Sequence, residues 1–568
     1  MKKRAVFLLL IGLILFSVYG QEELYRSWTY DLRADPVKYK VIVWGYEWNA
    51  GVQGILLTFA EPVKKGSFDE NTFRVRAGGQ GDLGILLDTE TVERRVTGAY
   101  ISDDRGNPLA EGVSHSRYIT LALEVSVDDG GNPQNNCQAL SYIISTGRNV
   151  WHPVLYQYQI DLKEGKTITI GDVTYRKFEL LGINGENYAG GPANTREGRI
   201  SPLTDGWIRS SYSMQDTNVS PAASRTIGLS LWEPEHLKKD GQQNPLIVWL
   251  HGGGEGSTIY DGDIALLANQ VTQLTQEPVQ QHFQTGGSAG AYVLSIQSPT
   301  AWMQYYTEAQ AGRTLPAQTA NWPVPSTQIY GGIWTQVIME AIDHILETNP
   351  DINPNKVYVG GCSNGGYQTI ACLVERPGFF AGAYPVCHGY QFTTLLTNVY
   401  GYVPIYRLAN EKIWFTHSEA DPVLRPISVN VNDTAPAWNE ANRNIDLGMG
   451  RVISQIIQTL DENRVFFSYF QTVKGKEFPH ATYNGHWSWI YSHQDRCQGV
   501  QNNDAIRAAN SSVNGSAAMV PSDSALGGDA KVVINGQNVG LWAWLAAQTR
   551  GAAPVGVLQS GSSALIGY

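Results

Sequence analysis

The sequence predicts an all-β sandwich followed by an α/β domain, whose mostly parallel sheet is covered by helices on both faces. Three observations carry this reading. Short β-rich runs separated by Asp/Gly/Asn/Pro turns fill residues from about 38 to 170, with no helical pattern between them. After about residue 200, apolar strands alternate with segments of 3.6-residue periodicity. At 568 residues, 42% apolar and only 16% charged, the chain also has material for more than one large core.

The chain opens MKKRAVFLLLIGLILFSVYG. Lys2, Lys3 and Arg4 precede an apolar run from Ala5 to Phe16, and Val18 and Gly20 place small residues at −3 and −1 from Gln21. This pattern spells a secretory signal over 1–20, cut after Gly20, whose apolar part is too short to stay in a bilayer. The protein is therefore expected to be secreted or periplasmic. Without the signal, 38 basic and 52 acidic side chains remain, a net charge of −14. A dispersed acidic balance argues against nucleic acid or an anionic membrane as partner. The five cysteines are too few for a disulfide scaffold, and their odd number leaves at least one thiol unpaired within the chain. No Cys/His cluster has zinc spacing, so no metal or cofactor is expected.

The β-sandwich is expected over 21–170, with strands at VIVWGYEW (41–48), GILLTFAEPV (54–63), TFRVRA (72–77), RRVTGAYIS (94–102) and YITLALEVS (118–126). It carries no ligand constellation. A packing module, a glycan contact and self-association all stay open for it. The α/β domain is expected over 171–550. TIGLSLWEP (226–234), PLIVWLHGGGEGS (245–257) and AYVLSIQSP (291–299) read as strands or strand–loop junctions. Residues 331–350 read as a helix with Trp334, Val337, Ile338, Ala341, Ile342, Ile345 and Leu346 on one face. KVYVGG, FAGAYPVC, KIWFTHSEAD and RVFFSYF follow as strands, with a helix after the first that is stopped by Pro377. Residues 499–538 are read as an inserted surface loop, 540–550 as a closing helix, and 551–568 as a loose tail.

The chemistry sits in VYVGGCSNGGYQTIA (357–371). A phosphate loop would need a lysine after its second glycine, and Tyr367 stands there. The register that fits is Gly361-Cys362-Ser363-Asn364-Gly365, a G-x-S-x-G between a strand and a helix. Such a turn holds a nucleophile at strained φ/ψ with its Oγ at the top of the sheet, and the glycines let helix and strand pack closely. Ser363 is thus the expected nucleophile, and the Asn364 amide one oxyanion donor. Cys362, the rival thiol, occupies the x position that points into the fold. HGGGEGS (251–257) supplies a second backbone loop, with Gly253 as the second donor, Gly252 the alternative, and His251 ordering the loop.

A serine hydroxyl needs a base, and the base an acid to orient it. His486, in the glycine-flanked TYNGHWSWIY, is the expected base, ahead of His480 and His493. Asp421, in the turn begun by Pro422, is the expected acid, with Glu419 the alternative. His417 reads as a structural or pocket-lining group. For substrate contact, Trp302, Tyr305, Tyr306, Trp322, Trp487 and Trp489 lie in or beside segments that flank the site.

On LIVWLHGGGEG, GGCSNGGYQT, ADPV and NGHWSWIY, the chain resembles secreted bacterial esterases with an N-terminal Ig-like domain before an α/β-hydrolase domain. The catalytic part is similar to poly(3-hydroxybutyrate) depolymerase-like and prolyl-oligopeptidase-like enzymes. The resemblance covers roughly residues 225–500 well and the N-terminal part loosely. It implies Ser363, Asp421 and His486 as the triad and hydrolysis of carboxylic esters, small or polymer-linked; the stretch 301–330, read as an elaborated lid, and the loop 499–538 depart from the family pattern. Feruloyl, acylated-sugar, short acyl and polyester substrates all stay open. Two other readings compete: a serine peptidase on the same fold, and a glycan-binding protein with a non-catalytic hydrolase scaffold.

Overall fold

In the computed structural model, the described residues are 38–77, 92–143, 147–151, 157–175, 179–183, 198–217, 221–237, 241, 244–257, 260–303, 332–390, 404–424, 453, 456–457, 463–503, 521–522 and 526–559. The expected signal segment, Tyr305, Tyr306, Trp322 and most of the expected lid lie outside them. Among the described residues no helix is long and apolar enough to cross a membrane.

Two sheets build the N-terminal module. One has seven strands, with Lys38–Tyr46, Asn49–Lys64 and His115–Leu123 at its centre, and the other has four, among them Phe73–Ala77 and Gln157–Leu162. Alternating residues such as Val41, Ile55, Leu57, Phe73, Val75, Leu121 and Ile160 fill the space between them. Beyond the boundary expected at 170, the chain adds short strands to these sheets. Ile168–Ile170 turns straight into the antiparallel partner Val173–Tyr175, Glu179–Ile183 pairs with Gln157–Leu162, and Arg199–Ile200 lies parallel to Lys38–Tyr46.

The second domain is one eight-stranded sheet. Its strands are β1 (Ile208–Asp216), β2 (Ala223–Trp232), β3 (Asn244–Leu250), β4 (Tyr292–Gln297), β5 (Ile352–Cys362), β6 (Gly382–Val386), β7 (Ile413–Ser418) and β8 (Val465–Phe470). The order across the sheet is β1-β2-β4-β3-β5-β6-β7-β8. The first two pairs, β1–β2 and β2–β4, run antiparallel and the other five parallel, so the sheet is mixed. β1 was not foreseen, because IRSSYSMQD is polar on its exposed face, as an edge strand tends to be.

Successive side chains of the central strands enter opposite layers. Leu246, Val248, Leu250, Val357 and Val359 join one core with helices α1 (Thr335–Thr348) and α2 (Asn364–Glu375). Ile247, Trp249, Tyr358 and Trp414 join the other, against α3 (Leu541–Ala547) with its buried Trp542 and Trp544. A parallel strand covered on both faces is buried at every position, as β3 is. The expected loop at 499–538 is partly ordered, since Lys531–Ile534 and Gln537–Val539 pair antiparallel. The expected loose tail is anchored at its start, because Val557–Gln559 adds to the same small sheet.

The two domains share a core. Ile264, Leu267 and Ala268, from the segment after β3, pack among the sandwich residues. Around them the buried Arg199 meets Asp263 at 2.8 Å and Asp261 at 3.1 Å, and Trp151 Nε1 donates to Asp261 Oδ2 at 2.6 Å. Each buried charge in this seam faces an opposite charge or a donor, as its burial requires.

The end of β3 and the β5–α2 turn approach so closely that side chains are excluded. A Cβ on Gly365 would lie 1.9 Å from the Leu250 carbonyl oxygen, and one on Gly361 2.5 Å from it. Gly365→Ala should therefore destabilise by about 1–3 kcal/mol or more. Gly206→Ala, where a Cβ meets nothing within 4 Å, should stay within about 0.5 kcal/mol of the parent. Urea unfolding of the two variants checks this, and an equal midpoint for both would contradict the close-packing account.

Candidate active site

Ser363 stands between the end of β5 and the start of α2 at φ 54°, ψ −115°, in the left-handed region that a serine rarely adopts. Its neighbours hold it there. The Ser363 amide donates to Val386 O on β6 (3.0 Å), and its carbonyl accepts from the Tyr367 and Gly389 amides at 3.0 and 3.1 Å. Among the described residues Ser363 Oγ makes no hydrogen bond.

Two backbone arms flank this turn. The Asn364 and Gly253 amides donate to no acceptor among the described residues, and the Gly253 Cβ position is 3.9 Å from Asn364 Cβ. The Gly252 amide points at Asn269 Oδ1 (3.4 Å) and so turns into the protein. Of the two alternatives, Gly253 is the one with a free donor. His251 is fully buried, and burial brings its pKa down to about 4, so the ring is neutral. Its Nε2 accepts from the Ser298 amide at 3.1 Å, which leaves Nδ1–H to donate to Gly252 O. His251 therefore orders the loop.

Asp421 and His486 arrive from the next strand ends. Asp421 follows β7 in a turn where its Oδ1 accepts from the Val423 and Leu424 amides at 2.7 and 2.9 Å. Its Oδ2 accepts from His486 Nδ1 at 2.8 Å and from His417 Nε2 at 3.0 Å. Burial pushes the Asp421 carboxyl up, but the His486 charge and the hydrogen bonds from both imidazoles outweigh it. The pKa ends well below the usual carboxylate range. His486 lies in the short turn Gly485–Trp487, capped by Asn484, whose Oδ1 accepts from the His486 amide. A Cβ on Gly485 would sit 2.2 Å from Ala420, so only glycine lets the histidine loop reach the acid turn. With Nδ1–H donated to Asp421, His486 Nε2 is left as an acceptor.

The rival residues fall elsewhere. Glu419 accepts from the Tyr469 hydroxyl. His480 Nε2 meets Val127 O at 3.1 Å in the N-terminal module. His493 is buried against Trp249, and burial brings its pKa down to about 3. Cys362 is buried, with its thiol pushed well above the usual range by that burial, and all five cysteines are free.

The expectation that Trp302 contacts substrate is corrected. Trp302 is fully buried, its Nε1 donates to His251 O at 2.8 Å, and its amide donates to Asn364 Oδ1. A large ring here fastens the two backbone arms to each other and presents no face outward. Trp487 is half-buried and packs on Tyr483 and Trp489. Sequence reasoning missed the contact of His417 with the acid, and also Asn149, which donates to Glu255 of the glycine loop at 2.6 Å. His417 stood four residues before the acid and could have been suspected. Asn149 lies in an N-terminal strand with no motif around it.

Comparison with known proteins covers both halves. A model of the esterase Ig-like N-terminal domain matches residues 38–171. Over 96 residues the chain is 30% identical to poly(3-hydroxyalkanoate) depolymerase C of Paucimonas lemoignei, a match spanning 17% of this chain and 23% of that protein's length. A solved thermostable esterase superposes with a TM-score of 0.52 at 17% identity, covering 81% of this chain and 96% of the other. At that identity the likeness is one of fold. The chain thus joins an esterase-type Ig-like N-terminal domain to a domain of the α/β-hydrolase type.

Proposed function

We propose that the chain is an exported serine esterase that hydrolyses carboxylic esters through Ser363, His486 and Asp421. The observation that carries the reading is the 2.8 Å contact of His486 Nδ1 with Asp421 Oδ2, brought to the sheet edge that presents the strained Ser363. His486 Nε2 takes the hydroxyl proton as Ser363 Oγ attacks the ester carbonyl, and Asp421 stabilises the imidazolium. The Asn364 and Gly253 amides receive the oxyanion. The tetrahedral adduct expels the alcohol, which takes its proton from His486, and leaves an acyl-enzyme. Water, activated by the same imidazole, then attacks the acyl group and frees Ser363. Oγ and Nε2 close on each other as substrate seats, since such contacts commonly tighten in the complex.

The depolymerase relative is named for a polyester, which supports ester chemistry as the class. Polymer-linked and small acyl esters are both substrates of this proposal. Secretion belongs to the same reading and rests on the pattern of residues 1–20.

Ser363→Ala should lower kcat on a p-nitrophenyl ester by roughly 10⁴-fold or more, abolish labelling by a fluorophosphonate probe and leave the melting curve in place. Full turnover by the folded variant would refute the assignment. Asp421→Asn should cost kcat on the order of 10⁴-fold by removing the group that sets the His486 tautomer. The depressed Asp421 pKa also makes a statement about acid stability. Its contacts contribute fully above the unfolded carboxyl value of ~3.9 and are lost as pH falls toward the lower native one. Equilibrium unfolding should therefore steepen below about pH 4 in the parent and do so less in Asp421→Asn.

A further inference from the structure

The glycine loop carries one carboxyl that the proposed mechanism does not use. Glu255 ends the short turn Gly253–Glu255 and is 4% exposed. Its Oε1 accepts from Asn149 Nδ2 at 2.6 Å, and Oε2 accepts from no side chain among the described residues. Oε2 lies against the loop itself, since a Cβ on Gly252 would stand 2.9 Å from it. Asn149 belongs to the N-terminal strand Arg148–Trp151, paired with Leu140–Ile143. This hairpin sits on the loop, where a Cβ on Gly254 would meet Asn149 Nδ2 at 2.8 Å and the Tyr142 ring at 3.2 Å. Asn149 is fixed in turn, because its Oδ1 accepts from Asn49 Nδ2 at 3.3 Å. Behind the loop, Gln297 Nε2 donates to Glu255 O at 2.8 Å.

A half-satisfied buried carboxyl is an expensive way to pack a turn. Burial pushes the Glu255 pKa up to about 7, against the Asn149 hydrogen bond, the Glu255 amide, the His486 charge and the Gly252 amide, which pull it down. Removing Asn149 would leave both carboxyl oxygens without a side-chain partner beneath the amides meant for the oxyanion.

We propose that Asn149 and Glu255 are a positioning pair that holds the Gly252–Gly253 backbone in register with Asn364, which makes the N-terminal module a working part of the active site. The inference rests on the esterase reading above. Asn149 reaches no reacting atom and acts through Glu255 on the loop. Oxyanion donors stabilise the transition state more than the ground state, so displacing one lowers kcat while leaving KM nearly unchanged.

The test is steady-state hydrolysis of p-nitrophenyl acetate by the full chain with Asn149→Ala, Glu255→Leu and the double variant. Loss of one oxyanion donor costs about 10²–10³-fold, so a displaced one should cost kcat roughly 10–10²-fold, with KM within about twofold. The double variant should be no slower than the slower single one, because both break the same contact. Glu255→Gln, which keeps an acceptor for Asn149, should be milder than Glu255→Leu. Should Asn149→Ala fold poorly, Asn149→Asp carries the test, being isosteric and unable to donate once ionised. Unchanged kcat in a folded Asn149 variant, or losses that multiply in the double variant, would overturn the pair. Fluorophosphonate labelling separates the two claims. If Ser363 of the parent labels and turns over while the Asn149 variants match it, only the pair fails. If the parent neither labels nor hydrolyses, the esterase reading fails with it.

Discussion

The contact between the Leu250 carbonyl and the turn after β5 is the constraint around which the domain is arranged. β3 ends beside the turn that carries Ser363, and the two backbones approach until no Cβ fits at Gly361 or Gly365. That closeness brings the glycine loop after Leu250 beside Asn364, and with it the Gly253 amide. It also drives Ser363 into positive φ, because strand and helix must join over a very short path. The same device recurs at Gly485 against Ala420, where another glycine lets a loop carry its histidine to a carboxylate. Both junctions exchange side-chain volume for proximity, and parallel strands ending at one edge make that proximity useful.

Charge is handled differently in the two buried clusters beside the site. Asp421 has four hydrogen-bond donors, two backbone amides and two imidazoles, so its ionised form survives burial. Glu255 has one side-chain donor for two oxygens, and burial drives it toward neutrality. The contrast follows from where the donors come from. Asp421 is served by its own turn and by neighbouring strand ends, whereas the one side-chain donor to Glu255 among the described residues is an asparagine from the other domain.

The N-terminal module is more than an appended unit in this light. Its core takes in Ile264, Leu267 and Ala268 from the second domain, and Arg199 meets Asp261 and Asp263 across the seam. Folding of one domain therefore buries surface that belongs to the other. A hairpin placed by such an interface can hold a loop as firmly as the loop's own strand does.

Much of this was legible in the chain alone. The G-x-S-x-G turn, the glycine loop and the order Ser363, Asp421, His486 are local patterns, because each needs only a few adjacent residues at a strand end. The unbroken apolar run of β3 and the periodicity of α1 likewise reported burial on both faces and on one. What stayed hidden was non-local. Trp302 looked like a surface platform, yet it is buried between His251 and Asn364, which no spacing could tell. The pairings of the short strands after residue 170 were missed because strands of two to five residues carry almost no periodic signal. Asn149 lies 106 residues before Glu255, and His417 acquired its contact only when the turn at Asp421 folded back. Sequence determined which chemical groups exist and in what order the strands deliver them. Tertiary structure alone decided which of them meet, since the close approach of backbones excludes side chains at positions that are far apart along the chain.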